Sequence, residues 1–297
     1  MKTNDIVIRQ SRMMSIFDSM DITENTKQDY LARLPRLIKF IERNGIDRDL
    51  LLSYKKSLRD DVTLGVSAKN KYLTTARIAL RELYRQGKFA IDLSVGVKSF
   101  QQSNKHKVIG LNREEVEAIC NYLQTLGNSL QNIRLKAIVA LLLFQGLRQI
   151  EICRLDVEDI DLANSRIYIV GKGRTDREPI HIHPETHKVL TQYLRRSQVK
   201  YGPLFTHLNR QPHGNRLSTR GLRMIFQNLL ELLNIHKTTH GTRHYFTTEL
   251  IRHFQSDLAT VAKFTRHSSL EMLNVYNDEI LDKKKMNEVI KALPFKI

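Results

Sequence analysis

The spacing of apolar residues along this chain changes in one place only. Apolar positions recur at helical intervals up to residue 156 and again from Pro184, whereas residues 157–183 alternate in twos. The alternating segments are 157–162, 165–173 and 178–183, with turns at Asn164 and at 171–176. This pattern predicts a three-stranded antiparallel meander within an otherwise helical chain. We therefore expect a mainly α protein, in which a helical first part precedes a mixed α/β second part.

The first hundred residues predict a helical unit. A first helix is expected to begin with Asn25 or Thr26 as its cap and to end at Gly45, with Pro35 kinking or restarting it. Its predicted apolar stripe consists of Leu34, Ile38 and Ile41. A second helix is predicted over 47–60, and a third from Ser67 to just before Gly87. The third helix is expected to turn four residues inward, namely Ala76, Leu80, Leu83 and Tyr84.

Residues 101–109 are the best candidate for a linker, because they begin with a polar, basic stretch without periodicity. The expected domains are thus 1–100 and 110–297. The second domain opens with a helix capped by Asn112, with Glu114 and Glu115 in its first turn. A strongly apolar helix follows over 132–144, ending at Gly146. Later helices are predicted over 184–196, 219–233, 242–253 and 256–264.

The charge of the chain indicates a polyanionic partner. Lys and Arg number 48 against 31 Asp and Glu, a net charge of +17, and basic residues exceed acidic ones in both halves. An excess spread in this way favours a polyanion held from two sides, although it could also serve solubility alone. The third helix carries five cations that are candidate phosphate contacts: Lys69, Lys71, Arg77, Arg81 and Arg85.

Composition argues against several other classes of protein. No apolar stretch reaches the ~18 residues of a membrane span, and the first residues lack the apolar core of a signal peptide, so a cytoplasmic location is expected. The only cysteines, Cys120 and Cys153, lie within helical patterns and are interpreted as core residues.

A metal site is a weaker interpretation of the histidines. Three of them, His236, His240 and His244, follow each other at intervals of four, but no carboxylate accompanies them. His181 and His183 are expected to share one face of an edge strand that faces DNA or solvent. We expect neither a metal ion nor another cofactor.

Three segments concentrate reactive side chains beside apolar helices. They are Gly146-Leu147-Arg148-Gln149-Ile150-Glu151, then His240-Gly241-Thr242-Arg243-His244, and finally His267-Ser268-Ser269-Leu270-Glu271, which runs on to Tyr276. Ser268 and Glu271 form a capping box for a short helix that carries Tyr276. Lys172 lies between two glycines in the second turn of the meander.

This set of residues suits phosphoryl transfer without a metal. Arginine forks match the non-bridging oxygens of a phosphate and stabilise a pentacovalent transition state. A tyrosine hydroxyl becomes a phosphoryl nucleophile when a neighbouring base takes its proton. A lysine or histidine can protonate the alkoxide that leaves. Taken singly, each residue is more often structural, so the interpretation depends on their joint occurrence.

The order of these motifs resembles the tyrosine recombinase (phage integrase, Xer-like) family, over essentially the whole chain. The resemblance implies a helical core-binding domain and a catalytic domain that cut and rejoin DNA through a 3′-phosphotyrosyl intermediate. It implies that Tyr276 is the nucleophile, that Arg148 and Arg243 clamp the phosphate, and that Lys172 protonates the 5′ hydroxyl. It further implies the roles of three histidines and a glutamate: His240 assists proton transfer, His267 donates to the phosphate, and Glu151 and His244 support the site.

One residue departs from the family pattern within the third motif. The family usually has glycine before the histidine of that motif, where this chain has Arg266. The residues at Leu273 and Asn274 are also larger or more polar than the small residues common there. No reactive group is lost, but Arg266 is expected to alter the packing of the turn or to contact DNA.

The sequence leaves several functions open. A site-specific recombinase is favoured, serving either integration of a mobile element or Xer-like resolution. A non-cutting DNA-binding protein of the same fold, a type IB-like topoisomerase and a metal-dependent nuclease are the alternatives. Residues 280–293 predict an amphipathic helix that docks on its own domain or, as the resemblance implies, on a neighbouring subunit. We expect a monomer in solution that forms a homotetramer on paired DNA sites, associated with the nucleoid.

Overall fold

The computed structural model describes residues 15–102, 110–171, 176–207, 215–254, 257–267, 269–274 and 276. The chain divides into two compact units, residues 1–104 and 105–297, and each is presented on its own below. Within the described ranges, no helix has the length and apolar character needed to cross a membrane.

Within residues 15–102, the first unit is a bundle of three helices preceded by a 3₁₀ turn, Ser15–Ser19. The helices are α1 (Glu24–Asn44), α2 (Leu50–Asp60) and α3 (Val66–Arg85). Gly45 ends α1 with a φ of 78°, as its position in the sequence predicted. The core between the helices is built mainly from leucines, including Leu34, Leu37, Leu50, Leu51, Leu58, Leu73 and Leu80.

Three details of this unit differ from the sequence-based predictions. The cap of α1 is Thr23, whose side chain accepts a hydrogen bond from the backbone N–H of Thr26, so the prediction of Asn25 or Thr26 was wrong. Pro35 lies inside one helix and does not restart it, and the buried Leu34 and Leu37 on either side hold that helix against the core. Tyr84 is 44% exposed, since Leu80 and Leu83 already fill the inward stripe of α3.

The second unit is mainly helical and contains the predicted small sheet. Its helices are α4 (Arg113–Thr125), α5 (Leu130–Leu143), α6 (Gln149–Arg154), α7 (Pro184–Ser197), α8 (Thr219–Leu232), α9 (Thr239–His253) and α10 (Leu258–Thr265). The strands are β1 (Ile160–Asp161), β2 (Arg166–Val170) and β3 (Arg177–His181), paired antiparallel in the order β1-β2-β3. The prediction of a mainly α fold with a three-stranded antiparallel meander is confirmed.

The helix α5 forms the centre of this unit. Its residues from Ala137 to Leu143 are all buried, and the helix packs against α7 and α9. A helix that is apolar on every side has to be surrounded by other elements, which explains this central place. The chain leaves α5 directly into the first reactive segment, so the core fixes where that segment begins.

Local signals in the sequence located several helix ends correctly. Asn112 caps α4 in a reciprocal capping box with Glu115, as predicted. By contrast, β3 ends at His181, and His183 is the cap of α7, where its Nδ1 accepts from the backbone N–H of Glu185. The expectation of one shared strand face for His181 and His183 was therefore wrong, because Pro184 begins a helix at once.

Some predictions fall outside the described residues. These concern most of the linker (103–109), the meander turn with Lys172 (172–175), the capping residue Ser268, and the C-terminal segment 280–293.

Candidate active site

The first reactive segment is shaped by the end of α5. Gly146 has a φ of 58°, and the backbone N–H of Leu147 donates back to the carbonyl of Leu141 over 3.2 Å. This left-handed ending reverses the chain direction and favours glycine. A Cβ on Gly146 would also lie 2.3 Å from the ring of Phe246. The turn brings Arg148 to the position that caps α6.

Arg148 is held by a buried carboxylate one helical turn away. The Glu151 carboxylate accepts one hydrogen bond from Nη1 of Arg148, over 2.8 Å, and another from the backbone N–H of Arg148, over 2.7 Å. The Arg148 side chain remains 30% exposed, while the Glu151 side chain is fully buried. Burial opposes ionisation of Glu151, but the charge of Arg266 and the hydrogen bonds from Arg148 outweigh it and lower the pKa of this carboxyl.

Arg243, in the second turn of α9, links the first reactive segment to the end of α10. Its guanidinium is buried and donates to the carbonyl of Gly146 over 2.6 Å and to the carbonyl of Thr265. Burial and then the neighbouring guanidiniums of Arg148 and Arg266 lower the pKa of Arg243 to about 9. It therefore stays cationic at neutral pH, in a strongly positive environment.

His267 is oriented by Thr265. The Thr265 hydroxyl lies 2.8 Å from the carbonyl of Val261 and 2.7 Å from Nδ1 of His267. A carbonyl only accepts, so both contacts are hydrogen bonds only if the hydroxyl donates to Val261 and Nδ1 donates to the hydroxyl. In the neutral ring, Nε2 then carries the free lone pair.

Burial and the positive surroundings keep His267 neutral. Burial, followed by the charges of Arg243, Arg148, Arg266 and His240, lowers the pKa of His267 to about 3. The contribution of His240 also shows that this histidine, exposed in the first turn of α9, lies within electrostatic range of the cluster.

Tyr276 packs against two of these histidines. Its ring is 4.7 Å from that of His244 and 6.2 Å from that of His267, measured between centroids. The tyrosine is only 4% exposed and shares a small apolar cluster with Ile251, Val261 and Leu273. His244 also lies against Gly110, where a Cβ would come within 2.2 Å of Nδ1.

The structure thus brings most of the predicted site residues into one place. Arg148, Glu151, His240, Arg243, His244, His267 and Tyr276 belong to this cluster, whereas Lys172 lies outside the described residues. Sequence reasoning missed the contributions of Thr265 and Gly110. A hydroxyl two residues before a histidine and a glycine before a helix are too common to signal a site.

The candidate DNA contacts on α3 divide into two groups. Lys71 and Arg81 are exposed. The other three already have partners within their own unit. Lys69 donates to the carbonyl of Arg59 and Arg77 to that of Val97, each over 2.8 Å, and Arg85 binds the carboxylate of Glu82.

The spacing of the histidines does not produce a common helix face. His236 precedes α9, which begins at Thr239, so the intervals of four do not apply to it. Among the residues that the structure describes, no group of three or more His, Cys, Asp or Glu side chains is arranged to hold a metal ion.

Comparisons with known proteins agree with the motif order. The model of the phage integrase family matches residues 110–281. The tyrosine recombinase slr0733 of Synechocystis sp. is 32% identical over 155 residues, which span 51% of this chain and about half (50%) of that protein. The tyrosine recombinase XerD of Halalkalibacterium halodurans is 28% identical over 90% of this chain and 91% of its own length.

A solved structure shares the fold. The XerH site-specific recombinase, in a post-cleavage complex with a palindromic difH substrate, superposes with a TM-score of 0.76 at 17% identity. The match covers 99% of this chain and 90% of that one. At this identity the likeness concerns the fold alone. Since the family model covers more than half of the sequence, however, this chain belongs to the phage integrase family of tyrosine recombinases.

Proposed function

We propose that this protein is a site-specific DNA recombinase that cuts and rejoins strands through a 3′-phosphotyrosyl intermediate on Tyr276. The observation that carries the proposal is the convergence of Arg148, Arg243, His267 and Tyr276, which come from separate elements of the second unit. Two guanidiniums and a histidine beside a phenol supply the groups that phosphoryl transfer to tyrosine requires.

In the proposed cutting step, Oη of Tyr276 attacks the scissile phosphorus and forms a bond to it. The bond from phosphorus to the 5′ oxygen breaks, and that oxygen leaves as a hydroxyl. The phenolic proton passes toward His240, and Lys172 protonates the departing oxygen. A 5′ hydroxyl then attacks the phosphotyrosine in the reverse reaction, which restores the phosphodiester and the tyrosine. No external energy source is consumed, because one phosphodiester replaces another.

The charge of the cluster suits the proposed transition state. Attack on a phosphodiester raises the negative charge on the non-bridging oxygens, and fixed guanidiniums oppose that change without reorganising. Arg243 is fixed by two backbone carbonyls and Arg148 by Glu151. Since Nδ1 of His267 bonds to Thr265, the ring donates to a phosphate through Nε2 only as a cation. An anionic phosphate favours that cation by raising the pKa of the ring.

Double-stranded DNA with specific recombination sites is the proposed partner. The net charge of +17 and the exposed Lys71 and Arg81 of the first unit support it. The XerH structure, which contains its difH substrate, supports it by analogy. Integration or excision of a mobile element and Xer-like resolution remain the two candidate roles.

We further propose that the protein binds single sites as a monomer and forms a tetramer on paired sites through the segment 280–293. The argument is the amphipathic sequence of that segment, which has to bury its apolar stripe. Heterologous contacts of this kind close into a ring. Deleting residues 284–297 should spare single-site binding and impair recombination between paired sites.

Trapping on a nicked suicide substrate tests the cutting chemistry. After cleavage, the short fragment that carries the new 5′ hydroxyl diffuses away from the nicked substrate. Religation is then impossible, so the covalent protein–DNA product accumulates. We expect this product in the presence of EDTA, and we expect Tyr276→Phe to bind the site equally well but to form none. Binding without product would favour a non-cutting DNA-binding protein. EDTA-sensitive cleavage without covalent product would indicate a metal-dependent nuclease, and relaxation of supercoils without exchange of sites a topoisomerase.

A further inference from the structure

Arg266 has a backbone conformation that is unusual for its residue type. It follows the last turn of α10 with φ 55° and ψ 44°, in the left-handed region where glycine is the usual residue. An arginine here accepts strain that glycine would avoid. The family pattern also favours glycine at this position, so the side chain is the feature that distinguishes this chain.

The Arg266 side chain is buried within the arginine cluster. It is 7% exposed, and its Nη2 donates to Oε2 of Glu151 over 3.1 Å, across 115 residues of sequence. The same Oε2 accepts the backbone N–H of Arg148, while Oε1 accepts its guanidinium. Glu151 therefore joins Arg148 to Arg266.

The charges of this network determine what Arg266 contributes. Arg148, Arg243 and Arg266 provide three positive charges around the buried carboxylate of Glu151, and Glu178 also lies within electrostatic range of Arg266. Oε2 of Glu151 is held by Arg266 and by the backbone N–H of Arg148, and without Arg266 only that N–H would keep Oε2 from turning toward the Arg148 guanidinium. With Oε2 occupied, Arg148 is bound through Nη1 alone, which leaves the rest of its guanidinium for a phosphate.

We propose that Arg266 is a positioning residue for DNA cleavage, which acts by holding Glu151 so that Arg148 presents its outer edge to the scissile phosphate. This inference rests on the proposed recombinase function. A second feature agrees with it: Nε of Arg266 is buried and, among the described residues, has no hydrogen-bond partner. A buried N–H without a partner lowers the stability of the folded protein, so a contribution to stability does not explain Arg266, whereas a role in the site does.

The first test is Arg266→Gly, measured by single-turnover cleavage of the suicide substrate at saturating protein. Glycine adopts a φ of 55° without strain, and Glu151 keeps its salt bridge to Arg148, so the variant should fold and bind the site like the wild type, with a lower thermal midpoint because Glu151 loses one of its two cations. We expect its cleavage rate to fall about tenfold or more, and Arg266→Lys to restore part of that rate. Cleavage by Arg266→Gly at the wild-type rate would overturn the inference.

The second test compares this substitution in two backgrounds. If Arg266 acts by positioning Arg148, then adding Arg266→Gly to an Arg148→Ala protein should change the cleavage rate less than twofold. In that background Glu151 has no Arg148 guanidinium to orient. An undiminished loss in that background would mean that Arg266 contacts the phosphate itself, and would reject the positioning role. Wild-type protein without covalent product would refute the proposed function and this inference together. If the wild type forms the covalent product and only Arg266→Gly cleaves slowly, the proposed recombinase function stands and the inference about Arg266 is supported.

Discussion

The imidazole of His244 lies against the ring of Tyr276, with 4.7 Å between the centroids, and Gly110 also lies close to that imidazole. The segment that opens the second unit is thereby in contact with the histidine that packs against the proposed nucleophile. The carbonyl of Gly241 in α9 also accepts the backbone N–H of Leu111, next to Gly110. The position of Tyr276 therefore depends on a glycine that carries no reactive group.

We predict that Gly110→Ala slows cleavage by about 10- to 100-fold, the effect expected when a reacting group moves by roughly 1 Å. The new methyl would lie 2.2 Å from Nδ1 of His244, so the imidazole and the adjacent tyrosine have to move. Single-turnover cleavage on the suicide substrate measures the effect. Gly127→Ala is the matched control, because a Cβ there meets nothing within 4 Å. Equal rates for the two variants would contradict the proposed coupling.

Replacing Arg148 and replacing Arg243 should both impair cutting, but the two variants should differ in their free energy of unfolding. Replacing either by Ala is expected to slow cleavage by at least ~10²-fold, the effect of losing one transition-state donor. Arg243→Ala also leaves the carbonyls of Gly146 and Thr265 without their donor, which costs about 1–3 kcal/mol for each buried group. Arg148→Ala leaves Glu151 paired with Arg266. Urea unfolding should therefore show the larger loss for Arg243→Ala, and the reverse order would refute this assignment.

His267 should make the stability of the free protein depend on pH. Its pKa is about 3 in the folded protein, against an ordinary value of 6.5, mainly because of burial and the nearby arginines. Between these values the unfolded chain binds a proton that the folded protein excludes, so the free energy of unfolding falls as the pH decreases from 6.5 toward 3. His267→Gln keeps a donor for Thr265 but does not titrate. Its unfolding free energy should fall less between pH 7 and pH 5, and identical losses would count against the neutral ring.

Features fixed by near neighbours in the sequence were the ones that could be predicted. Asn112 and Glu115 form their capping box within one helical turn, and the alternation in residues 157–183 produced the sheet. The motif order located the reactive residues, but it could not show what holds them. Arg243 bonds to a carbonyl 97 residues away and Arg266 to a carboxylate 115 residues away. Such pairs depend on tertiary packing, and for that reason Arg266 appeared in the sequence only as a departure from a pattern.

The last prediction concerns how the first unit contacts DNA. Arg85 uses its Nε and Nη2 on the buried carboxylate of Glu82, at 2.7 and 2.6 Å. These hydrogen bonds, above all, lower the pKa of Glu82 to about 2, so the pair is ionised at neutral pH. Lys71 and Arg81 are exposed on the same helix. Although the sequence alone gives these three cations equal standing, the structure distinguishes the paired Arg85 from the other two.

We therefore expect Lys71→Ala and Arg81→Ala each to weaken DNA binding and to reduce the slope of log affinity against log salt by about one, the change for one lost phosphate contact. Arg85→Ala should leave that slope unchanged and lower the free energy of unfolding instead, because Glu82 loses its cation. Affinity titrations between about 50 and 200 mM salt, paired with urea unfolding of each variant, separate the two effects. A slope that falls for Arg85→Ala and stays constant for Lys71→Ala and Arg81→Ala would show that α3 contacts DNA through its last turn, since Arg85 would then exchange Glu82 for a phosphate.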